Sequence, residues 1–346
     1  MALQILNPLT DSRWDDLVAR HPRASAFHRR GWIEALTRTY GYAPFVLTTA
    51  PSGTPLGDGI VLCQTSSWIT GRRLISLPFT DHLEPLLSDL DDAAQFWDWL
   101  RAECDHHGWK YVELRSLSGI LDQAHGLRPS RAYYFHELDL RPDLEQIFRT
   151  FHKDSIQRRI KRAKKEELSS EAGCSEKLVN EFYGLVLITR RRHKLLPQPR
   201  TWFLNLVECL GDTVQIRVAR KGEIPIAGML TLRHRSSVIY KYGCSDERFH
   251  GLGGMPFLFW ELVQDSKASG AEQIDLGRSD LDNEGLITFK DRLGATRKLL
   301  TYCRYPSSGT VAKATHWSER AVRHLFSLLP DPVFSLGGEI LYKHMA

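Results

Sequence analysis

The chain has 346 residues, 42% of them apolar and 25% charged, with a net charge of +5. That length exceeds what one compact core usually holds, so two domains are expected, with the composition of a soluble globular protein. No run reaches the roughly 18 apolar residues of a membrane helix, and the N-terminal MALQILNPLTDSRWDD lacks a basic segment followed by an apolar one; a cytoplasmic protein without a transmembrane segment is expected.

The first half alternates short helices and strands. Asp11 to Arg20 reads as a helix, with Asp11 as its cap and Trp14, Leu17 and Val18 on one face. Gly31 to Thr39 is a second helix. Phe45 to Thr49, Gly59 to Ser66 and Arg73 to Leu77 read as strands. Asp91 to His107 is an amphipathic helix through Ala94, Phe96, Trp97, Leu100 and Cys104. Strands are expected at 110–114 and 133–140. Arg141 to Leu168 reads as helical throughout, with one apolar stripe at Ile147, Phe148 and Phe151 and a second at Ile156, Ile160 and Ala163. A long helix follows from Ser175 to Arg192. Then come strands at 214–219, 226–233 and 237–243, a helix from Met255 to Ser269, a strand at 273–276, a short helix at 286–292 and a strand at 299–305. The tail from Ala314 is expected to be helical and to pack on the body. The order predicts an α+β fold (mixed α/β sheet) with domains at 1–140 and 141–310 and a helical tail at 311–346. The first half reads as a shorter version of the second, although no sequence repeat is visible.

Six cysteines, at 63, 104, 174, 209, 244 and 303, form no CxxC pair and no metal-like spacing, so reduced thiols and no metal site are expected. Charge is concentrated rather than spread. Between Phe151 and Lys165 lie seven cations (Lys153, Arg158, Arg159, Lys161, Arg162, Lys164, Lys165) against Asp154, and Arg190-Arg191-Arg192-His193-Lys194 follows. Such density repels itself unless an anion is near, which points to phosphate binding. A solvated helix face is the plainer reading of the same run.

Further segments carry chemistry. Arg248-Phe249-His250-Gly251-Leu252-Gly253, followed by Gly254, stands between a strand and a helix. Glycines there let a backbone approach a pyrophosphate at a helix N-terminus. Ile274-Asp275-Leu276-Gly277-Arg278-Ser279 ends a strand, and Phe289-Lys290-Asp291-Arg292-Leu293-Gly294-Ala295 follows it. Thr189 to Pro199 closes the second basic cluster with Pro197-Gln198-Pro199. Leu77-Pro78-Phe79-Thr80-Asp81-His82 is a strand-end loop carrying an acid.

The loop at 248–253 resembles the R/Q-x-x-G-x-G/A loop of GNAT enzymes. The D-x-G-R strand end, the F-K-x-x-x-G-A segment, the basic helix and the TR-rich stretch ending in P-x-P resemble Fem-type transferases and their acetyltransferase relatives. Glu167 departs from the glycine common at the end of that basic helix. The resemblance implies tandem GNAT-like domains and transfer of an acyl group from acyl-CoA to an amine acceptor (a small molecule, glycan or peptide), in envelope or exopolysaccharide synthesis. It implies cofactor contacts at Arg248, Gly251, Gly253 and Gly254. Substrate contacts fall at Lys153, Arg158, Arg159, Arg162, Arg192, Tyr242 and Arg278. Asp81 or Asp275 would receive the proton, and Lys290 would hold phosphate or stabilise developing charge. Backbone N–H groups of Ile239 to Gly243 would polarise the carbonyl. Two alternatives stay open: aminoacyl-tRNA as donor, although no long helical arm is inserted, and a non-catalytic binder of tRNA or another anionic polymer. Cys244, at the strand end before the glycine loop, reads as a core thiol rather than a nucleophile.

Overall fold

The computed structural model describes residues 3–68, 71–87, 90–120, 125–306 and 331–345. The chain forms two compact units. One comprises Met1–Tyr133, Leu299–Ala314 and Lys343–Ala346; the other comprises Tyr134–Lys298 and Thr315–Tyr342.

In the first unit, β1 (Gln4–Leu6), α1 (Ser12–Arg20), α2 (Arg30–Tyr40), β2 (Pro44–Thr48), β3 (Ile60–Ser67), β4 (Gly71–Ile75), α3 (Leu90–His107) and β5 (Val112–Leu114) follow in order. Asp11 caps α1 by accepting the Arg13 N–H at 3.1 Å, and Trp14, Leu17 and Val18 are buried as their spacing requires. β1 to β4 pair antiparallel in sequence, and β5 returns parallel to β4. The core gathers Leu62, Leu74, Phe96, Trp97, Leu100, Cys104 and Val112, so the amphipathic face of α3 lies on the sheet.

The second unit runs from β6 (Arg128–Asp139) through α4 (Leu144–Thr150), α5 (Arg158–Lys165), β7 (Ser169–Gly173), α6 (Glu176–Arg192) and α7 (Arg200–Leu210). Then come β8 (Val214–Lys221), β9 (Ile224–His234), β10 (Ser237–Ser245), α8 (Gly254–Ala268), β11 (Gln273–Asp280), α9 (Glu284–Arg292) and β12 (Thr296–Tyr305). β6 and β12 are the strands in which the chain passes from one unit to the other. β7 to β10 pair antiparallel, and β11 runs parallel to β10. α10 (Asp331–Leu341) lies on α6, with Tyr183 Oη 2.6 Å from Ser335 Oγ and the Arg191 guanidinium over the Phe334 ring. The tail helix expected from Ala314 falls largely outside the described residues.

Both units share one order: two helices, a three-stranded antiparallel meander, a helix, and a strand parallel to the third meander strand. This is the mixed α/β tandem architecture expected from the sequence. Four elements differ from expectation, the first being β1, an added three-residue strand paired with β2. Residues 141–168 are not one helix. α4 ends at Phe151, a π-type turn spans Lys153–Gln157, and α5 ends at Lys165. The first apolar stripe lies on α4 and its cap and the second runs from the π-type turn into α5, and the wider turn rephases them so that Ile147, Phe151, Ile156, Ile160 and Ala163 all reach one core with Trp260 and Leu258. β7 is an added edge strand of polar sequence, SSEAG. α7 is an added helix that buries Trp202, Phe203, Leu206 and Leu210.

Candidate functional site

The geometry centres on β10. Its burial follows an unusual course for an interior strand: Val238 and Ile239 are buried, 240–243 surface, and Cys244 and Ser245 are buried again. The register against β9 slips between Tyr240 and Tyr242, so Lys241 is an extra, bulged residue. A bulge bends and twists its strand. The parallel ladder with β11 stops at Ile239↔Asp275. β10 and β11 therefore part beyond that pair, and residues 240–243, half-buried up to Tyr242 and exposed at Gly243, lie outside that parallel ladder. Tyr242 is held from the other face: its hydroxyl accepts the Trp202 indole N–H at 3.0 Å, and its ring meets Phe203 edge-on.

The chain leaves β10 through a short 3-10 turn, Glu247–Leu252, and enters α8 at Gly254. Buried Asp246 caps the turn, accepting the Arg248 N–H at 3.0 Å and both Nε and Nη2 of Arg248. That guanidinium holds the Asp246 carboxyl below its ordinary pKa. Arg248 is itself exposed and folded onto its own loop.

Two helices fasten this loop from outside. Arg159 of α5 donates to the His250 carbonyl at 2.6 Å. Arg192 of α6 donates to the Ser245 carbonyl at 3.3 Å and to His250 Nε2 at 3.2 Å. The Ser245 N–H donates to Thr189 Oγ1, which donates in turn to the Ser245 carbonyl. Ser245 Oγ lies 2.9 Å from His250 Nε2. Arginine only donates, so His250 Nε2 is the acceptor and the ring proton sits on Nδ1. Burial and Arg192 push the His250 pKa down, in keeping with a neutral ring. The carbonyls at 245 and 250 are thus drawn toward arginines, while α8 aims its N-terminus at the loop, an arrangement that favours an anion.

The loop's glycines differ in purpose. Gly253 is left-handed (φ 82°), and a Cβ there would lie 2.5 Å from the Arg159 carbonyl oxygen. A Cβ on Gly254 would press on Ala227 at 3.0 Å. Gly251 has neither constraint: a Cβ there would meet nothing within 4 Å. Packing explains Gly253 and Gly254, and no packing or backbone demand accounts for Gly251.

A second group forms at the end of β11. Asp275, 4% exposed, accepts the Gly277 N–H at 2.6 Å, and Gly277 is left-handed at φ 69°. Lys290, 3% exposed, comes from α9 and donates to the carbonyls of Gly277 at 3.1 Å and Arg278 at 2.9 Å. Its ammonium pins the strand end rather than standing in solvent. Arg278 is half-buried beside it. His136 is buried nearby, 3.3 Å from Asp291.

Of the residues singled out from sequence, Arg159, Arg192, Arg248, Gly251, Gly253 and Gly254 meet at the loop. Asp275, Arg278 and Lys290 meet at the end of β11, and Tyr242 lies on the bulged strand. Lys153, Arg158 and Arg162 lie outside both groups and face outward; Arg158 pairs with Asp154 at 3.0 Å and Arg162 with Glu166 at 3.7 Å. Asp81 belongs to the first unit, where its carbonyl accepts the Tyr302 hydroxyl at 2.5 Å beside Phe79, which is left-handed at φ 61°. Thr189, Ser245, Asp246 and His250 join the loop group without being among the residues expected from sequence. D-x-R at 246–248, an acid two residues before an arginine, was the available signal for the capped turn. Cys244 is buried against the carbonyls of Phe182 and Gly228, and burial pushes its thiol far up. Among the described residues no group of three or more His, Cys, Asp or Glu could hold a metal ion, and no helix is long and apolar enough to cross a membrane.

Residues 150–290 match the acetyltransferase (GNAT) domain family, which makes this segment an acyltransferase domain. No curated protein matches the chain significantly. Among solved structures it is similar to FemX, at 13% identity and TM-score 0.69, with 88% of this chain and 97% of that one covered. The C-terminal domain of a lysylphosphatidylglycerol synthetase from Agrobacterium fabrum is similar at 17% identity and TM-score 0.55, covering 90% and 95%. A tandem GNAT protein from the clavulanic acid biosynthesis pathway is similar at 12% identity and TM-score 0.52, covering 88% and 98%. At these identities the likeness is one of fold, and the fold is Fem-like and GNAT-type.

Proposed function

With a Fem-like GNAT fold as the premise, we propose that the chain is an N-acyltransferase that moves an acyl group from acyl-CoA to an amine acceptor. The observation that carries this reading is Gly251, free of any packing or backbone demand, in a loop whose carbonyls are tied back by Arg159 and Arg192 at the N-terminus of α8. That loop takes the pyrophosphate of the donor, and Arg248 lies at its exposed edge. The thioester then runs along β10 to the bulge. There those backbone N–H groups of 240–243 that do not point toward β9 stabilise the oxyanion formed when the amine nitrogen attacks the carbonyl. Collapse forms the C–N bond, breaks the C–S bond and releases the CoA thiolate. The nitrogen's proton passes to a carboxylate, Asp275 at the end of β11. Lys290, through the carbonyls of Gly277 and Arg278, keeps the end of β11 and Asp275 in place. Tyr242 and Arg278 contact the acceptor, for which envelope or exopolysaccharide amines are the proposed class, in the cytoplasm.

One feature favours a second reading, with aminoacyl-tRNA as donor. α5 turns Lys161, Lys164 and Lys165 outward, and among the described residues these three carry no ion pair. Together with Lys153, Arg158 and Arg162 they form a cationic face suited to a polyanion.

A thermal-shift titration with CoA, acetyl-CoA and charged tRNA separates the two. A ligand at 100 times its Kd stabilises the native state by about 2.7 kcal/mol. A rise in Tm with CoA species that is reduced in Gly251→Leu supports the acyl-CoA reading. No response to CoA and a salt-sensitive response to tRNA would replace it.

A further inference from the structure

We infer that Tyr240 limits the donor to short acyl groups, of the size of acetyl or propionyl. The inference rests on the acyl-CoA reading above and names the donor class. Tyr240 is the last residue before the bulge and one of the four that surface on β10. Its ring packs on the α8 side of the sheet, 4.7 Å from Phe259, which meets Phe289 of α9 edge-on at 5.6 Å. The ring does not stand away from the strand. It runs along it, and a Cβ on Gly243 would fall on the Tyr240 hydroxyl and lie 2.7 Å from Cζ. Gly243 has no left-handed φ, so its backbone makes no demand for glycine. The phenol makes that demand.

Tyr240 thus lies across the α8 side of the very stretch whose N–H groups would polarise the thioester. An acyl carbon held there directs its substituent to one of two sides of the strand. On the α8 side the substituent meets Tyr240, backed by Phe259 and Phe289. On the other side it meets Tyr242, fixed by the Trp202 indole. Burial raises the Tyr240 pKa, so the obstruction is an uncharged ring at neutral pH. Between two fixed aromatic walls a methyl or ethyl group fits and a long chain does not. Excess methylenes against a rigid pocket are rejected by roughly 1–3 kcal/mol, or about 10–200-fold.

The test is the ratio of Kd for hexanoyl-CoA to Kd for acetyl-CoA, with free CoA as control, by calorimetry on the full chain. The wild type is expected to bind CoA and acetyl-CoA and to disfavour hexanoyl-CoA by at least about tenfold. Tyr240→Phe keeps the ring and the ratio. Tyr240→Ala brings the ratio to within about threefold of one. If Tyr240→Ala does not fold, Tyr240→Leu keeps apolar volume while removing the end of the ring, and the same fall in ratio is expected. A wild-type ratio near one overturns the inference while CoA binding keeps the donor reading. An unchanged ratio in folded Tyr240→Ala or Tyr240→Leu also overturns it. Absence of binding by every CoA species overturns the donor reading and this inference with it.

Discussion

Alanine at Gly251 and alanine at Gly253 should have opposite consequences, although the two glycines stand two residues apart. At Gly253 the new side chain must adopt φ near 82°, which costs an L-residue about 1–2 kcal/mol. Its Cβ would also sit 2.5 Å from the Arg159 carbonyl oxygen, a backbone atom that moves only with α5, and such overpacking costs about 1–3 kcal/mol more. A loss of about 2–5 kcal/mol follows, or roughly 4–20 °C in Tm for a unit of this size. At Gly251 the φ is ordinary and the space is open, so stability should change by less than about 1 kcal/mol. The methyl instead stands where a pyrophosphate would touch the backbone, and CoA affinity should fall about tenfold, equivalent to about 1.4 kcal/mol. Differential scanning fluorimetry gives the first quantity and calorimetric titration with CoA the second. Equal losses of Tm in the two variants would refute the division of labour between the glycines. Unchanged CoA affinity in Gly251→Ala would refute the loop as a donor site.

Glu167 is left-handed (φ 54°) just past α5, where the Leu168 N–H returns to the Ala163 carbonyl; Glu167→Gly should raise stability by about 0.5–1 kcal/mol, relief of strain less the added entropy of the unfolded chain, and a lower Tm would contradict it. Cys244→Ala should leave turnover near wild type, because burial keeps that thiol protonated; loss of turnover with an intact fold would make it a nucleophile. Lys290→Met should cost about 1–3 kcal/mol by stranding the carbonyls of Gly277 and Arg278, whereas an undiminished Tm with lost turnover would show a purely chemical role. The pH dependence has a definite sign. His250, like His136 and His193, has its folded pKa lowered, chiefly by burial, so the unfolded chain binds protons first as pH falls. Stability should be full above the ordinary histidine pKa of about 6.5 and decline below it. His250→Gln should flatten that slope in urea melts at pH 5 to 8, and an unchanged slope would assign the effect to the other two histidines.

Much of the fold was legible because apolar spacing alone identifies a helix face or a strand. Trp14, Leu17 and Val18 on α1 and Phe96, Trp97, Leu100 and Cys104 on α3 are buried as their periodicity demands. β7 was not legible, because SSEAG is polar and an edge strand needs only a backbone partner, supplied by β8. α7 carried its signal in Trp202, Phe203, Leu206 and Leu210, yet it follows directly on Pro197-Gln198-Pro199, which reads as a loop. The break between α4 and α5 was half visible. Two stripes were plain in the sequence, but a single wide turn, invisible in composition, decides that they face one core.

The site shows the same limit more sharply, since residue type was readable and direction was not. Seven cations in fifteen residues announce an anion, but adjacent positions on a helix point about 100° apart. Arg158 therefore pairs outward with Asp154, while Arg159 reaches inward to the His250 carbonyl. The same count of charge serves two ends: part of it shapes the loop that would receive a phosphate, and part is left on the surface to meet a partner. Lys290 makes the converse case. A lysine beside a glycine-arginine strand end reads as a phosphate ligand, but the left-handed Gly277 turns two carbonyls toward it and the ammonium is taken up by them. Backbone conformation, which sequence gives only through glycine and then ambiguously, is what converts a charged residue from a contact into a support. The cations still free to bind donor or acceptor are consequently fewer than the composition implies, and those on the outer face of α5 are the ones whose loss should change salt dependence without changing the loop.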